Sequence, residues 1–285
     1  MKKVSVLLPI YKTNESYLRE AIESILNQTL EDFEFLIIND CPEDTRAGEI
    51  VLSYSDPRIT YARNEINMGI SATRNKLLEM SQGEYIAIMD HDDVSLPERF
   101  AKEVAYLDAH PEIGVVSCFY REIPSGKIVE SCVENCDIRI ELMRRSPLCH
   151  PAAMIRRKLI EESGVRYEAR YTPAEDYALW IRLLPWTSFH ILNEILFEYR
   201  VHGDNTSLIQ SNKMRNAIED IQMWAEESFP ALYNRGTCPT KQIFRVRLFH
   251  IFPLFKLEIS ESRKRLKLFD FLPLLSIRKS KYFNR

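Results

Sequence analysis

Three short apolar runs, Val4 to Leu8, Phe33 to Ile38 and Tyr85 to Met89, are continuous rather than alternating, and each breaks off into polar residues. A strand reads this way when both of its faces are covered, the condition of a central strand in a parallel sheet with helices on either side. Helical stretches lie between the runs. Asn14 can cap a segment in which Leu18, Ile22, Ile25 and Leu26 share one face, Glu43 to Ser53 forms a second helix, and Ile59 to Ala62 a further short strand. This alternation predicts an α/β fold, a mostly parallel, doubly wound central sheet flanked by helices.

In such a sheet the carboxyl ends of the strands form one edge, and ligands bind there. The run Tyr85 to Met89 ends in Asp90-His91-Asp92-Asp93. Asp90 and Asp92 repel each other unless a cation lies between them, and hard oxygen ligands suit Mg²⁺ or Mn²⁺ with positions left open for substrate phosphates. A lone D-x-D is as readily a solvated acidic turn, with Asp93 or Ser95 capping the helix that Pro97 begins. Tyr11 and Asp40 follow the first and second runs, so both can line one crevice. An aromatic face beside a carboxylate suits a planar base with an N–H, such as uracil. Taken singly, Tyr11 reads as a surface aromatic and Asp40 as a turn residue before Pro42.

Asn64 to Lys76 contains Gly69, which allows a tight turn, and Ser71, which can open a helix whose amino end favours anions. Arg74 lies one turn in, where its forked guanidinium could reach a diphosphate or a base carbonyl. No G-x-G-x-x-G follows the first strand, which argues against a nicotinamide-dependent dehydrogenase. Pro9 to Lys12 contains no glycine, which argues against a nucleotidyltransferase phosphate loop. Further on, Pro97 to Ala109 reads as a helix, Ile113 to Phe119 as a strand, Ile123 to Glu130 as a hairpin and His150 to Arg157 as an edge strand. Pro173 opens a helix carrying Glu175 and Asp176 near its positive amino end, packed down by Leu179, Trp180 and Leu183. Phe189 to Leu192 and Ile195 to Tyr199 form short strands. They lead to His202, a metal ligand or diphosphate partner on one reading and a polar loop residue on the other.

The 285 residues carry a net charge of −3, unevenly distributed. From Lys241 to Arg285 there are twelve Lys or Arg against three acids, a net of +9, which leaves −12 on residues 1–240. An acidic body is unlike a nucleic-acid binder, whose basic patch lies at its chemistry. The six cysteines include no C-x-x-C pair and read as free thiols of a reducing, cytoplasmic compartment. Pro9 interrupts the first apolar run, so it is a strand rather than a signal peptide, and no run reaches the roughly 18 to 20 residues of a membrane span. The tail interleaves cations with Phe244, Val246, Leu248, Phe249 and later apolar residues. It reads as a helical extension over 211–285 that lies on an anionic membrane surface, at its inner face, or packs on the core or a second subunit.

Together, Ser5-Val6-Leu7-Leu8-Pro9-Ile10-Tyr11, Ile37-Ile38-Asn39-Asp40, Asn67 to Asn75, Asp90-His91-Asp92-Asp93, Glu175-Asp176-Tyr177 and Tyr199-Arg200-Val201-His202 resemble family 2 glycosyltransferases of the GT-A fold. The resemblance runs in the family's order from about residue 3 to 207. It implies a catalytic domain over 1–210, with a nucleotide-binding half (1–95) and an acceptor-side half (96–210). It implies that Pro9, Tyr11, Asp40 and Arg74 hold the nucleotide and that Asp90 contacts the ribose. Asp92, with His202, would bind Mn²⁺ or Mg²⁺, Asp176 would be the general base, and Glu175, Asp93 and His150 would complete the shell. The implied activity is inverting transfer of a sugar from a nucleotide-diphosphate donor, usually a UDP-sugar, to a saccharide or lipid-linked acceptor in surface-polysaccharide synthesis. Asp176 must be ionised to accept a proton, so this chemistry requires no raised pKa. A glycoside hydrolase would also use two carboxylates, and an inactive nucleotide-sugar sensor would retain the binding residues.

Overall fold

The computed structural model describes residues 2–203, 205 and 211–236, and the backbone of 242–248, 252–260 and 263–265. It divides into two units, Met1–Tyr233 and Asn234–Arg285.

In the first unit the apolar runs become β1 (Val4–Ile10), β2 (Phe33–Asn39), β3 (Ile59–Arg63) and β4 (Tyr85–Ile88), laid side by side as β3-β2-β1-β4 and all parallel. Helices α1 (Glu15–Leu26), α2 (Thr45–Leu52) and α3 (Ile70–Met80) connect them. Asn14 accepts a hydrogen bond from the Ser16 N–H at the start of α1, and Asp44 accepts one from the Ala47 N–H in α2. The runs are continuous because alternate residues enter two cores. Val6, Leu8, Phe35, Ile37, Tyr85 and Ala87 join Leu18, Ile22, Ile50 and Val51 on one face. Leu7, Leu36, Ile38, Ile86 and Ile88 join Leu77, Trp180 and Phe189 on the other.

Beyond β4 come β5 (Val94–Ser95), α4 (Arg99–Ala109), β6 (Ile113–Ile123), β7 (Ile128–Val129), α5 (Asn135–Glu141), β8 (Met154–Arg156), α6 (Arg157–Ser163), α7 (Glu175–Leu183) and β9 (Ser188–Arg200). The sheet continues β4-β8-β6-β9-β5. The expected hairpin is β6 and β7, with Gly126 in the left-handed region at φ 73°. The strand near His150 is not an edge strand: β8 lies between β4 and β6, antiparallel to both. Pro151 had pointed to an edge, but it sits in a 3-10 turn over His150–Ala152, so its missing N–H falls outside the ladder. The two short strands expected after Phe189 are one, β9, whose register against β6 shifts near Phe119. Neither Asp93 nor Ser95 caps α4, which begins at Arg99.

Helices α8 (Ser211–Ser228) and α9 (Pro230–Gly236) fulfil the helical expectation past residue 210. Ala217, Ile221 and Ala225 of α8 are buried in the first unit's core, so the division falls between 233 and 234 rather than between 210 and 211. In the second unit the helical expectation is corrected over 242–248, 252–260 and 263–265. β10 (Gln242–Leu248), β11 (Phe252–Ser260) and β12 (Arg263–Arg265) form an antiparallel sheet. Phe244, Val246 and Leu248 alternate with Arg245 and Arg247, the two-residue period of a strand. The amphipathic, membrane-facing reading of this tail rests on side chains outside the described residues. No helix among the described residues is long and apolar enough to cross a membrane. Cys41, Cys118, Cys132, Cys136 and Cys149 are free; Cys238 lies outside the described residues.

One buried charge pair braces the end of β4. Arg99 and Glu103, both fully buried, pair at 3.2 Å, and Arg99 donates hydrogen bonds to the Ile88 carbonyl at 3.0 Å and the Ala153 carbonyl at 3.3 Å. Arg99→Met leaves these carbonyls and Glu103 without their partner in a dry interior. The expected loss of stability is about 3 kcal/mol, read as a lower denaturant midpoint with unchanged slope.

Candidate active site

The parallel register brings the strand ends to one edge. Ile10 is paired with Asn39, the Asp40 N–H donates to the Ile10 carbonyl at 2.8 Å, and the Met89 N–H donates to the Leu7 carbonyl at 3.1 Å. A cleft of about 1080 Å³ opens there. Pro9, Tyr11, Asp40, Arg74, Asp90, Asp92, His150, Glu175, Asp176 and His202 all line it. Asp93 does not. It is 1 % exposed and accepts a hydrogen bond from the Arg200 N–H at 2.7 Å. Its place in the shell is therefore corrected to a structural one, on the inward side of the acidic turn, where it ties that turn to the end of β9.

Tyr11 is 42 % exposed, its ring open to the cleft. Asp40 is buried and accepts hydrogen bonds from the Asn64 side-chain amide and the N–H groups of Met68 and Gly69, each at 2.8 Å. An ionised carboxylate offers about four acceptor positions. Three are committed to the 64–69 loop, and one remains for a ligand. Gly69, with φ 80°, opens α3 directly after this anchor.

Arg74 on α3 bridges two segments far apart in sequence. Its guanidinium donates to Asp90 Oδ1 at 2.9 Å and to Glu175 Oε1 at 2.7 Å, and it lies 5.6 Å from the Tyr167 ring centre. Burial alone would lower its pKa, but the two carboxylates override this and hold it above its usual value. Arg74 is thus committed to protein carboxylates. Nε of Arg74 and Oε2 of Glu175 are buried without a hydrogen-bond partner.

The β5–β9 pairing carries Arg200 and His202 to the acidic turn. Arg200 donates to the Asp92 carbonyl at 2.7 Å, pairs with Glu20 and stacks at 4.3 Å on the Tyr17 ring. His202 Nε2 lies 2.8 Å from Asp92 Oδ2, and its ring is 5.5 Å from that of Tyr17. Among the described residues no three of His, Cys, Asp and Glu converge on one point. Asp92 and His202 thus bring one carboxylate oxygen and one imidazole nitrogen within hydrogen-bond distance at this edge.

Asp176, in the first turn of α7, is partly buried and accepts from the Tyr177 N–H at 2.7 Å. Burial first, then the neighbouring charge of Glu175, push its pKa up to about 6, while Arg74 opposes the shift. The chemistry does not need this rise, and the rise does not conflict with it. The group remains ionised at neutral pH, closer to where a proton acceptor works best. His150 is buried, with Nε2 2.9 Å from the Tyr167 hydroxyl, and burial, seconded by Arg74, holds its pKa well below the usual imidazole value. It is a neutral packing group beside Tyr167 and Trp180.

The model of the family described as "Glycosyl transferase family 2" matches residues 5–164. The chain belongs to this family. It is similar to an uncharacterized glycosyltransferase of Methanocaldococcus jannaschii, 33 % identical over 220 residues, covering 74 % of this chain and 75 % of the relative. Its fold matches S. aureus TarS 1–349 in complex with UDP-GlcNAc (TM-score 0.66, 17 % identity, 82 % of this chain and 72 % of that one). It also matches a mannosyltransferase of Pyrobaculum calidifontis in complex with GDP-Man and Mn²⁺ (TM-score 0.58, 17 % identity, 82 % and 73 %). The transferase thus has the GT-A architecture.

Several lining residues of the transferase carry no functional signal in the sequence: Lys12 and Tyr17 after β1, Thr172, whose hydroxyl lies 3.1 Å from that of the buried Ser71, and Arg145, Met214 and Ile218. Lys12 is a lone cation in a glycine-free loop, which carries no signal in sequence that sets it apart from surface lysines. Met214 and Ile218 carried an apolar helical spacing that says burial, not cleft.

Proposed function

We propose that this glycosyltransferase moves a sugar from a nucleoside-diphosphate donor, a UDP-sugar by preference, onto a hydroxyl of a saccharide or lipid-linked saccharide, with inversion at the anomeric carbon. The observation that carries the reading is Asp176, with a pKa of about 6, on the wall of the cleft that also holds Asp90, Asp92 and His202. That two structures of the same fold contain nucleotide sugars supports the donor class. The free acceptor position on Asp40 beside the open Tyr11 ring suits a base with an N–H between carbonyls, and Asp90 suits a ribose hydroxyl.

Asp92 and His202 fit a divalent cation, since a carboxylate oxygen with a neutral imidazole suits Mn²⁺ and the diphosphate and water fill the remaining positions. A cation bound there would neutralise the charge that develops on the departing diphosphate. Asp176 takes the acceptor hydroxyl's proton as the oxygen attacks the face opposite the leaving group, which inverts the configuration. Arg74 and Glu175 hold the first turn of α7 against the end of β4, so Asp176 and Asp90 keep their spacing as substrates enter. A hydrolase reading would leave Tyr11 and Asp40 without use.

The net +9 of residues 241–285 suits attachment to an anionic membrane carrying a lipid-linked acceptor, at the inner face of the cytoplasmic membrane.

Three outcomes are expected. Asp176→Asn retains donor affinity while kcat falls by at least about 100-fold, and the acid limb of the wild-type pH profile, centred near pH 6 because the base must be unprotonated, vanishes with it. Asp92→Ala abolishes the Mn²⁺-dependent tightening of UDP binding in calorimetry; equal tightening in both proteins removes the cation site. Full-length protein sediments with vesicles of anionic phospholipid and a chain ending at residue 240 does not; equal sedimentation removes the membrane reading.

A further inference from the structure

Lys12 combines a strained backbone with an exposed charge that no ion pair among the described residues engages. Its φ is 47°, and it is the one non-glycine residue with positive φ among the described residues. A long side chain there is disfavoured, whereas Gly or Asn would adopt the same turn at little cost. Strain of this kind persists where the side chain has work to do. The second feature is the availability of its charge. Three cations line the cleft. Arg74 is held by Asp90 and Glu175, and Arg145 by Glu141. Lys12 makes no ion pair within 4.0 Å among the described residues; its ammonium rests 5.2 Å from the centre of the Tyr11 ring, and Tyr11 first, then Glu43 at longer range, favour its charged form.

We infer that Lys12 is a donor-binding residue whose ammonium pairs with a phosphate of the nucleoside diphosphate while Tyr11 receives the base. This rests on the donor reading above and adds to it a residue and a partner. The cleft is otherwise rich in carboxylates, which repel a diphosphate, and a cation in its lining, carried on a strained turn, supplies a positive charge that Arg74 and Arg145, already paired, do not. The ammonium lies against the same ring that the base would stack on, so binding exchanges a weak cation–π contact for a charge-assisted hydrogen bond.

The test is calorimetry on the full chain with UDP, UMP and uridine, with Mn²⁺ present throughout, for wild type, Lys12→Asn and Lys12→Arg. Lys12→Asn, which relieves the turn, is expected to keep or raise the melting temperature and to weaken UDP and UMP by about tenfold or more, with uridine changed by less than about twofold. Lys12→Arg is expected to restore most of the affinity, and the loss in Lys12→Asn to shrink as salt rises. Equal UDP affinity in wild type and Lys12→Asn overturns the inference, as does a loss of the same size for uridine, which would assign Lys12 to the base or to loop shape. Wild type that binds no nucleoside diphosphate overturns the donor reading and this inference together.

Discussion

A single buried guanidinium joins the two halves of this site. Arg74 leaves α3, takes Asp90 from the end of β4 with one nitrogen and Glu175 from the start of α7 with another, and is 7 % exposed. Asp90 and Glu175 lie 85 positions apart in sequence, and no strand pairing links them directly. Each carboxylate has the guanidinium as its partner; removing the cation would leave two carboxylates facing each other in a partly dry cleft. One base against two acids also leaves a residual negative charge beside Asp176. That residue and its own burial set the affinity of Asp176 for a proton, so the brace that positions the proposed base also tunes it.

The second half of the sheet solves a different problem, bringing the end of β9 back over the acidic turn. The two residues of β5 pair with β9, and Arg200 then fastens the turn through the Asp92 carbonyl, Asp93 and Glu20. His202 meets Asp92 as a consequence of this pairing. The acidic turn is therefore held from below by Arg99 and from above by Arg200, which fixes the direction of its carboxylates before any ligand arrives.

Much of this was legible from residue order, for a physical reason. Strands covered on both faces must be uniformly apolar, so β1, β2 and β4 announce themselves, and parallel pairing then obliges Tyr11, Asp40 and Asp90 to share an edge. What was not legible depends on contacts between distant segments. Pro151 suggests an edge strand until the turn that absorbs it is seen. Arg74 suggests a ligand contact until the two carboxylates waiting for it are found. Asp93 differs from Asp92 by one position and points the other way, a distinction made by the β5–β9 pairing and not by spacing. The alternation of Phe244, Val246 and Leu248 was present in the sequence but was masked by the density of charge around it.

Asp40 shows what such economy of parts entails for the lineage. A carboxylate proposed to meet the base, and which secures the 64–69 loop through three hydrogen bonds, is not free to vary. Any substitution aimed at a new nucleobase would also release the loop and the start of α3. Diversification of donor choice within such a scaffold must therefore proceed through the rim of the cleft, leaving this acid as a fixed point around which other side chains are exchanged.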